Sequence, residues 1–134
     1  MVSFEVTTRS RTELVDVTGE VQSAVAQAQV MSGVCFVYVP HTTAAVTVNE
    51  SADPDVAADA TAALSKLVPH RAGYAHAEGN SDAHIKAMLV GSSVAVPVDA
   101  GRLALGRWQG IFFCEFDGPR TRRVLVQAIN SAGG

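Results

Sequence analysis

The apolar run Val34-Cys-Phe-Val-Tyr-Val39, stopped by Pro40, most constrains what this chain can fold into. It has strand length, is rich in β-branched and aromatic side chains, and shows no polar alternation, which predicts a strand in the middle of a sheet. Pro40 lacks the N–H that a ladder requires, so the strand ends there and His41 opens a new segment. From 42 to 50 the period is two. His41, Thr43, Ala45, Thr47 and Asn49 fall on one polar face, and Ala44, Val46, Val48 and Glu50 on the other. Asp53 followed by Pro54 then supplies a carboxylate cap and a proline at the first helical position. Val56, Ala60, Ala63, Leu64 and Leu67 trace the apolar stripe of that helix, which Pro69 closes.

The remaining elements follow from the same two periods. Residues 4–9 and 13–17 alternate, and the polar stretch 10–12 suits a hairpin loop, so they read as paired edge strands. Thr18 can cap a helix carrying Val21, Ala24, Val25, Ala28 and Met31, with Gly33 placed to end it. Residues 69–81 have no sustained period, an unusually long loop for a compact domain and of a kind that often carries function. Ser81 or Asp82 can cap a short helix over 83–90, buried through Ile85, Met88 and Leu89, with His84 at the edge of the stripe and Gly91 as its stop. Strands are predicted at 92–98, 102–105, 111–116 and 121–129, with turns at 99–101 and 117–118 and a fraying Ala-Gly-Gly terminus. The expected fold is a compact single α+β domain over 1–134, with an antiparallel or mixed β-sandwich-like sheet and about three helices.

A chain of 134 residues can bury roughly 68% of its unfolded surface in one core. With 48% hydrophobic and 17% charged residues, the balance is apolar enough to suggest that other subunits cover part of the surface. The net charge is −3 and the cations are scattered apart from Arg120, Arg122 and Arg123, which excludes a nucleic-acid footprint. Cys35 and Cys114 lie inside apolar runs and read as buried thiols of a reducing compartment. With no secretory signal and no apolar run of ~18 residues, the expected location is cytoplasmic, with no membrane partner.

His41, His76 and His84 are candidate ligands for a divalent metal, zinc or magnesium, because neutral imidazole suits transition metals and three ligands leave an open position. Their spacing matches no compact motif, and three independent loop histidines is the competing reading. Asp53 and Asp55 have a sufficient role at a helix N-terminus, whereas Glu50 does not, which makes Glu50 the candidate carboxylate. Glu115 alternates with Ile111 and Phe113 and needs a partner if buried; one of Arg120, Arg122 and Arg123 can supply it, or the same arginines can grip a phosphate. No GxSxG elbow is present, which argues against serine-hydrolase chemistry.

Taken together, His41-Thr-Thr-Ala, Asn49-Glu-Ser-Ala-Asp-Pro-Asp55, Ala83-His-Ile-Lys86 with Gly91-Ser-Ser93, Gly101-Arg-Leu-Ala-Leu-Gly106, Trp108-Gln-Gly110 and Cys114-Glu115 resemble the YjbQ family over nearly the whole chain. The resemblance implies a homotrimer with a polar, often metal-containing site near subunit contacts. It also implies weak thiamine-phosphate synthase activity, joining hydroxymethylpyrimidine diphosphate to thiazole phosphate with release of pyrophosphate. His41, Asn49, Glu50, His76 and His84 are the expected site residues: the histidines hold metal or phosphate, and Glu50 with Asn49 orients them. The alternatives are a non-catalytic metal- or anion-binding trimer and an enzyme acting on another phosphorylated metabolite.

Overall fold

The computed structural model describes residues 1–131, so the expected fraying of the last three residues lies outside it. Eight strands and three α-helices follow in the order β1 (Val2–Thr7), β2 (Glu13–Asp16), α1 (Thr18–Ala28), β3 (Ser32–Tyr38), β4 (Ala44–Glu50), α2 (Pro54–Leu67), α3 (Ser81–Val90), β5 (Ser93–Asp99), β6 (Arg102–Leu103), β7 (Gln109–Glu115) and β8 (Thr121–Asn130). They form a five-stranded sheet, β1-β8-β3-β5-β6, and a three-stranded sheet, β2-β7-β4. Every pairing is antiparallel. The expected α+β class and sandwich-like sheet core are thus what the chain adopts, and β3 is central, as its unbroken apolar run requires.

The inner faces of the two sheets meet. Cys35, Val37, Val96, Val124 and Val126 of the large sheet pack with Val46, Ile111 and Phe113 of the small one, and α1 contributes Val21, Ala24 and Val25. On the other side of the small sheet, Ala45 and Cys114 form a second core with Ala83 of α3 and with Phe116, flanked by Leu64 of α2. The period-two alternation of β4 accordingly divides Val46 from Ala45 between two cores. Both thiols are buried as expected, which pushes Cys35 up to about 11 and Cys114 up to about 12. Among the described residues no helix is long and apolar enough to cross a membrane.

Three local expectations are corrected. β1 and β2 are edge strands but do not pair: β1 lies on β8 and β2 on β7, in different sheets. The polar link between them is held by other groups, the Arg9 and Ser10 N–H groups donating to Glu13 and the Gly118 N–H to the Arg11 carbonyl. α1 ends at Gln29 in the left-handed region rather than at Gly33. Gly33 instead lies in β3, where a Cβ would run into the Ile129 carbonyl of β8. Nor does Thr18 cap the helix: its hydroxyl donates to Asp16 and accepts from the Ile111 N–H, tying α1 to β7.

The third correction concerns α3. Met88 and Leu89 are exposed, and the helix buries Asp82, Ala83 and Lys86 instead. An apolar stripe read from sequence fails here because Arg11, 71 residues away, grips both oxygens of Asp82 at 3.0 and 3.1 Å. Lys86 completes the group, 3.6 Å from Asp82 and over the Phe116 ring. The expected start of α2 holds: Asp53 caps it by accepting the Asp55 N–H at 2.9 Å, with Pro54 in the first turn.

Candidate functional site

Where Pro40 ends β3, the connector into β4 is pinned on both sides. The Val39 N–H donates to the Ser92 carbonyl at 2.8 Å, and the Phe116 N–H to the Thr43 carbonyl at 3.2 Å. His41 is thereby set against β8, where its Nε2 accepts the Arg123 N–H at 2.9 Å. An imidazole accepting at Nε2 carries its proton on Nδ1 when neutral. Burial, and then the charge of Arg122, hold the His41 imidazole below its ordinary value, in keeping with the neutral form.

His41 lines a cavity of about 720 Å³ together with Tyr38, Thr42, His84, Ser92, Arg120 and Arg122. His41, Thr42, His84 and Ser92 also line an adjoining, more apolar cavity of about 470 Å³ whose other walls are Ala44, Ala87, Met88 and Gly91. The two histidines therefore stand where a polar and an apolar space adjoin.

Arg122 is the most tightly held side chain of the polar space. It is 3% exposed and its partner Glu115 is wholly buried. Its Nε donates to Glu115 at 2.9 Å and its Nη2 to the Thr43 hydroxyl at 2.8 Å. Glu115 further accepts from the Thr8 hydroxyl at 2.8 Å and the Asp117 N–H at 3.0 Å. Burial pushes the Glu115 carboxyl up, but Arg122, the Asp117 N–H and Thr8 together outweigh it, and the group lies below its usual range. With Nε and Nη2 committed, Nη1 is the uncommitted donor of a rigid guanidinium lining the cavity. The sequence signal for this group was Glu115, a carboxylate spaced between large apolar side chains. Thr8, Thr43 and Ser92 gave no signal of their own.

His76 reaches the site only through His84, their rings meeting edge to face at 5.5 Å between centroids. Its Nε2 lies 3.8 Å from Glu78. Asn49 and Glu50 do not come near the histidines of the same chain. They occupy the far end of β4, opposite Gly110 and Gln109 of β7, and the strand alone spans roughly 20 Å. There the Asn49 Oδ1 accepts the Glu50 N–H at 2.8 Å, and the Glu50 carboxylate accepts the Ala52 N–H at 2.9 Å. Gly110 makes the close packing of that end possible, since a Cβ would come within 2.6 Å of Ser51.

Among the described residues no group of three His, Cys, Asp or Glu side chains is placed to hold a metal ion. The His41 Nε2 lone pair is engaged by the Arg123 N–H, so the expected zinc or magnesium triad of His41, His76 and His84 does not fit the geometry of one chain.

Comparison with known proteins places this architecture. The family model for UPF0047 protein YjbQ-like matches residues 2–131. A UPF0047 protein of Methanocaldococcus jannaschii is 48% identical over 96% of this chain and 94% of its own. UPF0047 protein YugU of Bacillus subtilis is 45% identical over 93% of this chain and 96% of its own. The crystal structure of an uncharacterized conserved protein of the same family from Clostridium acetobutylicum superposes with a TM-score of 0.95 at 46% identity, covering 96% of this chain and all of that one. A hypothetical protein from Aeropyrum pernix gives a TM-score of 0.93 at 39% identity, over 97% and 98% of the two chains. Sequence and fold agree along the whole described length, and the chain belongs to the UPF0047/YjbQ family.

Proposed function

We propose that the His41–His84 cavity binds a phosphorylated small molecule, and that the chain is an enzyme with weak thiamine-phosphate synthase activity. The observation that carries this reading is the two-part cavity. Arg120, Arg122 and the hydroxyls of Thr42 and Ser92 line the polar part, Ala44, Ala87 and Met88 the apolar part, and the two histidines belong to both. A ring bearing a phosphate group needs such a division of space.

In the synthase reaction the bond between the pyrimidine methylene carbon and its diphosphate oxygen breaks. A bond forms from that carbon to the thiazole nitrogen, and pyrophosphate leaves with the electron pair. Arg120 and the Nη1 of Arg122 neutralise charge on the departing diphosphate, the Thr42 and Ser92 hydroxyls donate to its oxygens, and neutral His41 offers Nδ1–H. A single chain has no three-residue metal cradle, so no step runs through a metal ion. Self-assembly as a homotrimer belongs to the same reading, because Val34, Phe36, Tyr38 and Ile129 leave the outer face of the five-stranded sheet uncovered.

A second reading, a non-catalytic anion-binding protein, is favoured by one feature: Glu115 already offsets the charge of Arg122. Turnover separates the two. The protein should form thiamine phosphate from both substrates above the no-enzyme rate, and His41→Ala should lower that rate at least tenfold. Product at the no-enzyme rate, or an unchanged rate in His41→Ala, removes the synthase and leaves the anion binder.

A further inference from the structure

We propose that a second copy of this chain completes the ligand site, bringing its acidic, tryptophan-tipped end, with Glu50 and Trp108, onto the His41–His84 cavity. The inference rests on the reading of that cavity as the ligand site, and three features lead to it.

The charges of the molecule are divided along β4. At its start lie His41, His84, Arg120 and Arg122 around the cavity. At its end Glu50 and the Asp53 cap of α2 are joined by Asp16, which the Thr18 hydroxyl links to β7. Opposite ends of two copies therefore attract, and like ends repel.

The acidic end also presents an aromatic anchor. Trp108 is 55% exposed with Arg107 stacked 4.7 Å from its ring. Its turn is rigid: the Gln109 N–H donates to the Gly106 carbonyl at 3.0 Å, the Gln109 side chain accepts the Gly106 N–H at 2.8 Å, and the Ser51 N–H donates to the Trp108 carbonyl at 2.8 Å. A fixed, uncovered tryptophan is the residue type that most often anchors an interface.

The uncovered sheet face, finally, runs into the cavity. β3 turns Phe36 and Tyr38 outward, and Tyr38 also lines the cavity wall. A copy seated on this face lies against the cavity mouth, and the charge division selects its acidic end. Such head-to-tail contacts close into rings. In the ring Glu50 of the neighbour pairs with His84, which puts a charged imidazolium beside the bound phosphate.

The test needs no activity. Glu50→Cys and Ser92→Cys chains are mixed under mild oxidation; Cys35 and Cys114 are buried and do not interfere. A covalent dimer should form in the mixture and in neither variant alone. Because Trp108 is the sole tryptophan, its emission in the wild type should be blue-shifted and should move to the red as dilution dissociates the assembly. A monomer at every concentration, or an oligomer with water-exposed emission and no mixed cross-link, overturns the proposal. Pyrophosphate titration of the wild type separates the two layers. Cross-linking without pyrophosphate binding overturns the ligand reading alone; pyrophosphate binding without cross-linking overturns the shared site alone.

Discussion

Glu115→Ala should lower stability by about 3–5 kcal/mol, because it leaves the Arg122 guanidinium buried without a counter-charge. For a chain of this size that is a fall in melting temperature of roughly 10–20 °C. Replacing both partners by methionine should recover most of the loss, since the expense lies in the orphaned charge rather than in the missing attraction. The effect has a pH signature. The folded Glu115 carboxyl lies below its unfolded value, so its contribution is present above the ordinary carboxylate range and is lost as pH falls through the folded value. Thermal melts of wild type and Glu115→Ala should thus differ most at neutral pH and converge in acid. A difference that persists undiminished at low pH would contradict the ion-pair account.

Asp82→Ala should cost a similar amount, about 3–5 kcal/mol, for a related reason. It strips the counter-charge from Lys86, which is 2% exposed, and from the bidentate Arg11. Lys86→Met should behave quite differently. Burial holds the Lys86 amine below its ordinary value, and Asp82 keeps Arg11 when Lys86 is removed, so the change should stay within about 1 kcal/mol. Denaturant unfolding of the two variants reads the asymmetry directly. Equal losses would mean that Lys86, not Arg11, is the principal partner of Asp82.

These two buried charge groups also mark what the sequence could and could not disclose. The central strand and the start of α2 were legible because their causes are local: an unbroken apolar run ended by Pro40, and Asp53 followed by Pro54. The pairing of β1 and β2, the end of α1 and the buried face of α3 were misread because their causes are distant. Arg11 reaches Asp82 across the fold, and Gly33 answers to the Ile129 carbonyl. The site divides in the same way. His41 and His84 do face one cavity, and the expected Glu115–arginine pair exists as Glu115–Arg122. Asn49 and Glu50 looked adjacent to His41 because one short segment carries all three. Extended backbone instead carries them to opposite ends of the molecule.

The central claim is that the His41–His84 cavity is an anion site, and calorimetric titration with pyrophosphate tests it most directly. Arg120, 51% exposed at the cavity wall, can be removed without orphaning a buried charge; Lys66, in the last turn of α2, serves as a remote control. The wild type should bind pyrophosphate saturably at one site per chain. Arg120→Ala should weaken binding about tenfold or more, as befits a charged hydrogen bond, and Lys66→Ala should leave it unchanged. No saturable binding, or equal affinity in all three proteins, would contradict the claim.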